Sequence, residues 1–196
     1  MSTEDRLDRQ IRFILEIDRL KNVVRQNVTT ARRLENSCEH SWHIAAMAMV
    51  LHEYANGKID LCRVLKMLLI HDVVEIDAGD TYCYDQQASA DQAQREQAAA
   101  ERIFAMLPAD QRDEMRALWE EFEQRRTPEA RFAAAMDRLQ PVLLNYFTQG
   151  ESWRQKEVRS AQVMARNRTI GEGAARLWEY ARGLIEDASR RGYVAD

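Results

Sequence analysis

Apolar residues recur along this chain at the three-to-four-residue spacing of a helix, and no stretch alternates as a half-buried strand does. Leu7, Ile11, Ile14, Leu15 and Leu20 predict an amphipathic first helix over 5–20. Residues 21–35 form a polar connection rich in Asn, Thr and Arg. Asn36 with Glu39 three residues on is a capping-box signature. It opens a second helix over about 38–55, to which Trp42, Ile44, Met47, Val50, Leu51 and Tyr54 contribute core. Asn56-Gly57 ends that helix, and Asp60 caps a third with the stripe Leu61, Val64, Leu65, Leu68 and Leu69. A turn at Gly79 and a loop from Tyr82 to Gln87 lead to a long helix from Ser89 through Leu107, whose stripe is thin (Ala93, Ala100, Ile103, Phe104, Leu107). Pro108 breaks it, and a helix over 109–124 carries Met115, Leu118, Trp119 and Phe122. Thr127-Pro128-Glu129 supplies a capping hydroxyl, a proline at the first helical position and an acid at the positive dipole end. The helix it opens carries Phe132, Met136, Leu139 and Leu143, with a kink expected at Pro141. Polarity rises from 150 to 167, and Gly171 and Gly173 precede a last helix over about 174–188. The pattern predicts an all-α, single-domain bundle of seven or eight helices over 1–196, its last part a helical extension over about 150–190.

Composition narrows the functions this bundle can serve. A formal net charge of −4 over 196 residues gives no support for binding a nucleic-acid polymer, although a local basic site can still take a small anion. Cys38, Cys62 and Cys83 are odd in number and lack CxxC spacing, which argues against a disulfide framework and a thiolate zinc site and fits a reducing cytoplasm. The charged N-terminal stretch has no signal-peptide core, and no apolar run approaches the roughly 18 residues of a membrane span.

Two clusters interrupt the helical pattern. His71-Asp72-Val73-Val74-Glu75-Ile76-Asp77-Ala78-Gly79-Asp80 directly follows the apolar stripe of the third helix. Upstream, Glu35-Asn36-Ser37-Cys38-Glu39-His40-Ser41-Trp42-His43 holds two more histidines, and all four His lie between 40 and 71. Charge beside a core costs several kcal/mol per ion unless it is paired or ligates a metal. A divalent metal is the simplest account. His40, His71 and Asp72 with a fourth acid would form a mixed nitrogen–oxygen site suited to one Mn, Co, Zn, Ni or Fe ion. Glu75, one turn from Asp72, is the candidate acid–base group, and Asp80 would orient it or bind a substrate hydroxyl. His43 is either a second polar group in the pocket or a partly buried packing residue, and His52 reads as surface. Of Arg25, Arg32 and Arg33, each is by default a solvated loop residue, and one of them is a candidate anion ligand. Asp137 sits in the apolar stretch Ala133-Ala134-Ala135-Met136-Asp137-Arg138-Leu139, where the residues alone suggest an exposed acid paired with an arginine.

These motifs resemble the HD-domain metal-dependent phosphohydrolases, and within them the 5′-deoxynucleotidase group. The likeness rests on Arg33-Leu34-Glu35-Asn36-Ser37-Cys38-Glu39-His40-Ser41, on His71-Asp72 with Glu75 and Gly79-Asp80, on Leu118-Trp119-Glu120-Glu121 and on the lone Asp137, and it covers about 8–146. The resemblance implies His40, His71, Asp72 and Asp137 as metal ligands, Glu75 serving the attacking water, and Asp80 in the substrate pocket. It puts Arg33 near the phosphate, with Arg25 as a helper. It also implies phosphate release from (deoxy)nucleoside 5′-monophosphates and a homodimer. The Arg-Trp pair that the group carries after its first helix is missing, since this region reads Arg19-Leu20-Lys21-Asn22-Val23-Val24-Arg25. Deoxyribose preference is therefore not implied. The alternatives are an HD-fold hydrolase of a non-nucleotide phosphoester, a non-catalytic metal- and nucleotide-binding protein, and a di-iron oxygenase, for which only His43 and His52 remain as extra ligands.

Overall fold

The computed structural model describes residues 5–85 and 90–196. Its α-helices are α1 (Arg6–Ile17), α2 (Ser37–Leu51), α3 (Leu61–Ile70), α4 (Glu75–Ala78), α5 (Gln92–Phe104), α6 (Ala109–Gln124), α7 (Pro128–Phe147), α8 (Glu151–Gln155), α9 (Ser160–Asn167), α10 (Ile170–Gly173) and α11 (Ala175–Arg190). Eight of these have eight residues or more, which is the expected helical bundle. Single 3₁₀ segments follow α1, α2 and α3, at Asp18–Asn22, His52–Tyr54 and His71–Val74. The expected start at Ser89 and the loop residues Gln86 and Gln87 lie outside the described residues.

Helix α7 is the axis of the bundle. The Thr127 hydroxyl accepts from the Ala130 N–H at 3.2 Å, and Pro128 fills the first helical position. The buried alanines Ala130, Ala133, Ala134 and Ala135 let neighbours approach closely, and α2, α3, α6, α10 and α11 all pack on this helix. A Cβ on Gly173 of α10 would lie 2.2 Å from the Arg131 carbonyl, so only glycine permits that approach. Residues after 150 thus share one apolar core with α2, α3 and α7, running from Ile44 and Met67 to Ile185 and Val194. Pro141 does not interrupt α7, which runs unbroken to Phe147. It simply has no N–H to give to the Asp137 carbonyl.

A second cluster joins Phe13 and Leu20 to Val73, Val74, Ile103, Phe104 and Trp119. The His71–Val74 turn lies at the seam, because the preceding α3 puts Val64, Met67 and Leu68 into the first core.

Several expectations change. The connection over 21–35 contains an antiparallel pair, β1 (Val24–Val28) with β2 (Leu34–Asn36), pairing Val24 with Asn36 and Val28 with Leu34 around an irregularity. No apolar alternation marks it, because Arg25, Gln26 and Asn27 line a cleft rather than a core. Leu7, Ile11, Ile14 and Leu15 are exposed, and α1 instead buries Phe13. On α2, Trp42 (68% exposed) and Val50 (71%) face outward, as does Tyr54 in the 3₁₀ segment after it, while Ile44, Met47 and Ala48 are buried. Leu69 is also exposed. The polar stretch after 150 holds α8 and α9.

Candidate active site

The capping box opens α2 as expected. Asn36 accepts from the Glu39 N–H at 3.0 Å, and Glu39 accepts from the Asn36 N–H at 3.2 Å. This start puts His40 one turn into α2, fully buried. His71 and Asp72 occupy the 3₁₀ turn at the core seam, and both are buried. One ligand atom from each of His40, His71 and Asp72 lies within 4.8 Å of the others. Asp137 of α7 completes the group, with Oδ1 at 3.1 Å from His40 Nε2 and 3.9 Å from His71 Nε2.

The donor set suits a divalent cation. His71 Nδ1 donates to the Leu68 carbonyl at 2.9 Å, which turns Nε2 toward the acids. That Nε2 is buried with no properly aligned hydrogen bond, although Asp72 Oδ1 is 2.9 Å away. An orphaned imidazole nitrogen among two carboxylates and a second imidazole is what a metal ion would satisfy. The charges of these side chains also compensate one another. Burial lowers the His71 pKa, but Asp72 outweighs it and raises the pKa to about 9. Burial raises Asp72, yet His71 and Arg25 hold it at about 2. Asp137 is held well below the ordinary carboxylate range against its burial, chiefly by its bond to His40.

Beside the ligands, Glu75 sits at the start of α4, buried, with Oε2 accepting from the Ser37 hydroxyl at 2.6 Å. Burial first, and the Asp72 charge second, push its pKa well up. Asp80 shifts upward for the same two reasons, against Arg25. Arg25 of β1 is the hub of this wall. Its Nη1 donates to Asp72 Oδ2 at 2.8 Å and lies 3.7 Å from both Glu75 Oε1 and Asp80 Oδ1.

The other proposed cation, Arg33, is not brought to the cleft. It is exposed and forked onto Glu39, with two bonds of 2.7 Å. His43 lies 3.3 Å from Gln140 Nε2, and His52, exposed, faces the Met49 carbonyl. Neither belongs to the group of metal-type donors.

Gln140 escaped the reading of the sequence, and Glu35 stood in the upstream cluster without a role. Gln140 Oε1 is 3.3 Å from His40 Nδ1, and its amide donates to Glu35 Oε1. The other Glu35 oxygen is 3.6 Å from His40 Nδ1 and 3.9 Å from Arg25 Nε. Glu35 and Gln140 therefore fix the far side of the His40 ring and turn Nε2 toward Asp137. The signal was present for Gln140, which stands three residues after Asp137 on one helical face.

The cleft is about 170 Å³, and Arg125, Arg138 and Arg166 also line it. Burial, then Arg166 and Arg125, lower the Arg138 pKa to about 10.

Residues 17–178 match the family described as HD domain. The chain belongs to the HD-domain family. A crystal structure from Magnetospirillum magnetotacticum MS-1, described as a predicted metal-dependent phosphohydrolase, is 50% identical and superposes with a TM-score of 0.94 over 100% of this chain and 99% of that one. The human 5′-deoxynucleotidase HDDC2 is 30% identical over 135 residues, which are 68% of this chain and 65% of that protein. This chain thus spans about two thirds of the length of that relative. An HD-domain phosphohydrolase from Listeria innocua is 14% identical with a TM-score of 0.60 over 94% of this chain and 83% of that one, and shares the fold.

Proposed function

We propose that this HD-domain protein is a metal-dependent phosphomonoesterase that releases phosphate from (deoxy)nucleoside 5′-monophosphates. The observation that carries the reading is the convergence of His40, His71, Asp72 and Asp137 at the cleft beside a buried Glu75. The 30% identity to a protein named 5′-deoxynucleotidase supports the substrate class.

His40, His71, Asp72 and Asp137 would hold one divalent ion, Mn, Co, Zn, Ni or Fe. When bound, it supplies Lewis-acid polarisation of a phosphoryl oxygen and lowers the pKa of water. Glu75 stands one turn beyond Asp72 to take the proton of the attacking water, and the Ser37 hydroxyl holds its carboxyl in place. Arg25, buried among four carboxylates, is the cation positioned for phosphate oxygens. Arg33 would reach them only by leaving Glu39. Asp80 faces the same space and would accept from a substrate hydroxyl.

The same reading takes the chain as one HD domain over 1–196. Three free cysteines support a reducing cytoplasm, and among the described residues no helix is long and apolar enough to cross a membrane. A homodimer is supported by α2, which carries no Lys, Arg, Asp or Glu from His40 to His52 and yet exposes Trp42, Met49 and Val50.

The test is inorganic phosphate release from matched deoxy- and ribonucleoside 5′-monophosphates with Mn²⁺, Co²⁺ or Zn²⁺. Metal-dependent release that disappears in Asp72→Ala supports the proposal, and the panel decides the sugar. No release from any member, with one metal bound, rejects it.

A further inference from the structure

Most of the arginines on this surface are neutralised. Arg6, Arg32, Arg33, Arg63, Arg102 and Arg116 each pair with a carboxylate. Three arginines of the cleft behave differently. Arg125 closes α6, Arg138 follows Asp137 on α7, and Arg166 comes from α9. The Nε atoms of Arg125 and Arg138 are buried without a hydrogen-bond partner. The one contact seen for the Arg138 guanidinium is neutral, from Nη1 to the Arg166 carbonyl at 3.2 Å. Among the described residues no carboxylate is paired with any of the three, although Glu96 and Glu123 line the same cleft. Arg125 is also held in the left-handed region at φ 52°, where a glycine or asparagine usually ends a helix, and its carbonyl is fastened by Arg131 Nε at 3.2 Å.

Arg125 and Arg138, each with an unfilled buried Nε, lie with the exposed Arg166 on one cleft, where the three like charges repel and the two buried donors lose solvent without compensation. An anion relieves both costs. Guanidinium is the group whose fork matches phosphate oxygens. In the proposed reading the metal-type donors and Arg25 already serve the ester that is hydrolysed, so this cluster is free for a second anion. We infer that Arg125, Arg138 and Arg166 form a second anion subsite, and that the preferred substrate is a nucleotide carrying a further phosphate away from the 5′-ester, as in a nucleoside 3′,5′-bisphosphate. This substrate assignment rests on the phosphomonoesterase reading above. The subsite itself rests on the arginines.

The test compares adenosine 3′,5′-bisphosphate with adenosine 5′-monophosphate by calorimetry, in zinc-loaded protein carrying Glu75→Gln to suppress turnover. The bisphosphate is expected to bind at least tenfold more tightly. Adding Arg138→Met or Arg166→Met, each checked by thermal melting, is expected to bring the two affinities within about threefold of each other. Equal affinities in the parent protein, or a preference unmoved by both substitutions, overturn the inference. Inorganic phosphate that binds alone and is lost with the arginines, with no gain for the bisphosphate, marks a free-anion site and overturns the substrate assignment. Phosphate release by the unmodified protein is read separately. Release without bisphosphate preference defeats only the subsite, whereas preference without release defeats only the hydrolase reading.

Discussion

Gln140 is a small residue in the sequence reading and a large one in the site, because it sets the ring it touches. Gln140→Leu would keep the volume of the side chain and remove the acceptor at His40 Nδ1, leaving Glu35 without its amide donor. Such outer partners typically change metal affinity by roughly 10–100-fold, so Co²⁺ titration followed by absorbance should show a loss of that size. His71 makes a second prediction. Its metal-free pKa of about 9 lies above its ordinary 6.5, so its proton stabilises the folded state fully below about 6.5, and that contribution is lost as pH rises through about 9. A metal must displace this proton. Apparent Co²⁺ affinity should therefore climb with pH toward about 9, up to roughly tenfold per unit for one proton, and level off above it. A flat profile from pH 6 to 9 would contradict the assignment of His71 as a ligand.

Among the secondary elements, α10 on α7 is the tightest joint. Gly173→Ala would drive a methyl into the Arg131 carbonyl, and α7 cannot yield without moving Asp137. Overpacking typically costs about 1–3 kcal/mol, so a melting scan should show a clear fall, and metal affinity should fall with it. The sequence displayed the elements whose signals are local. Asn36 with Glu39 and Thr127 with Pro128 mark helix starts by chemistry that needs no tertiary context, and both caps form as read. The histidines were legible because four of them crowd thirty-two positions beside apolar stripes. What was hidden depends on what packs where. The β1–β2 pair is polar because it lines a cleft. Helix α1 has apolar residues on two sides, and periodicity alone selected Leu7, Ile11 and Ile14 over the buried Phe13. Arg125, Arg138 and Arg166 come from three elements, and no spacing in the sequence joins them.

For the molecule as a whole, the outer face of α2 bears on assembly. Val50→Glu introduces a charge into a solvent-facing apolar stripe, so the folded monomer should be unharmed while a dimer built on that face dissociates. Light scattering at micromolar concentration reads this directly, and a wild-type monomer would remove the homodimer from the account. Under the proposed function, two histidines and two aspartates, drawn from α2, the turn after α3, and α7, would hold one metal that makes the cleft a phosphatase. The most direct measurement strips the protein with a chelator, adds Co²⁺ stepwise and follows phosphate release from a nucleoside 5′-monophosphate, with Asp137→Asn in parallel. Release that rises to a plateau at about one equivalent and stays absent in the variant is the predicted result. Release that persists in the stripped protein, or that rises equally in Asp137→Asn, would contradict it.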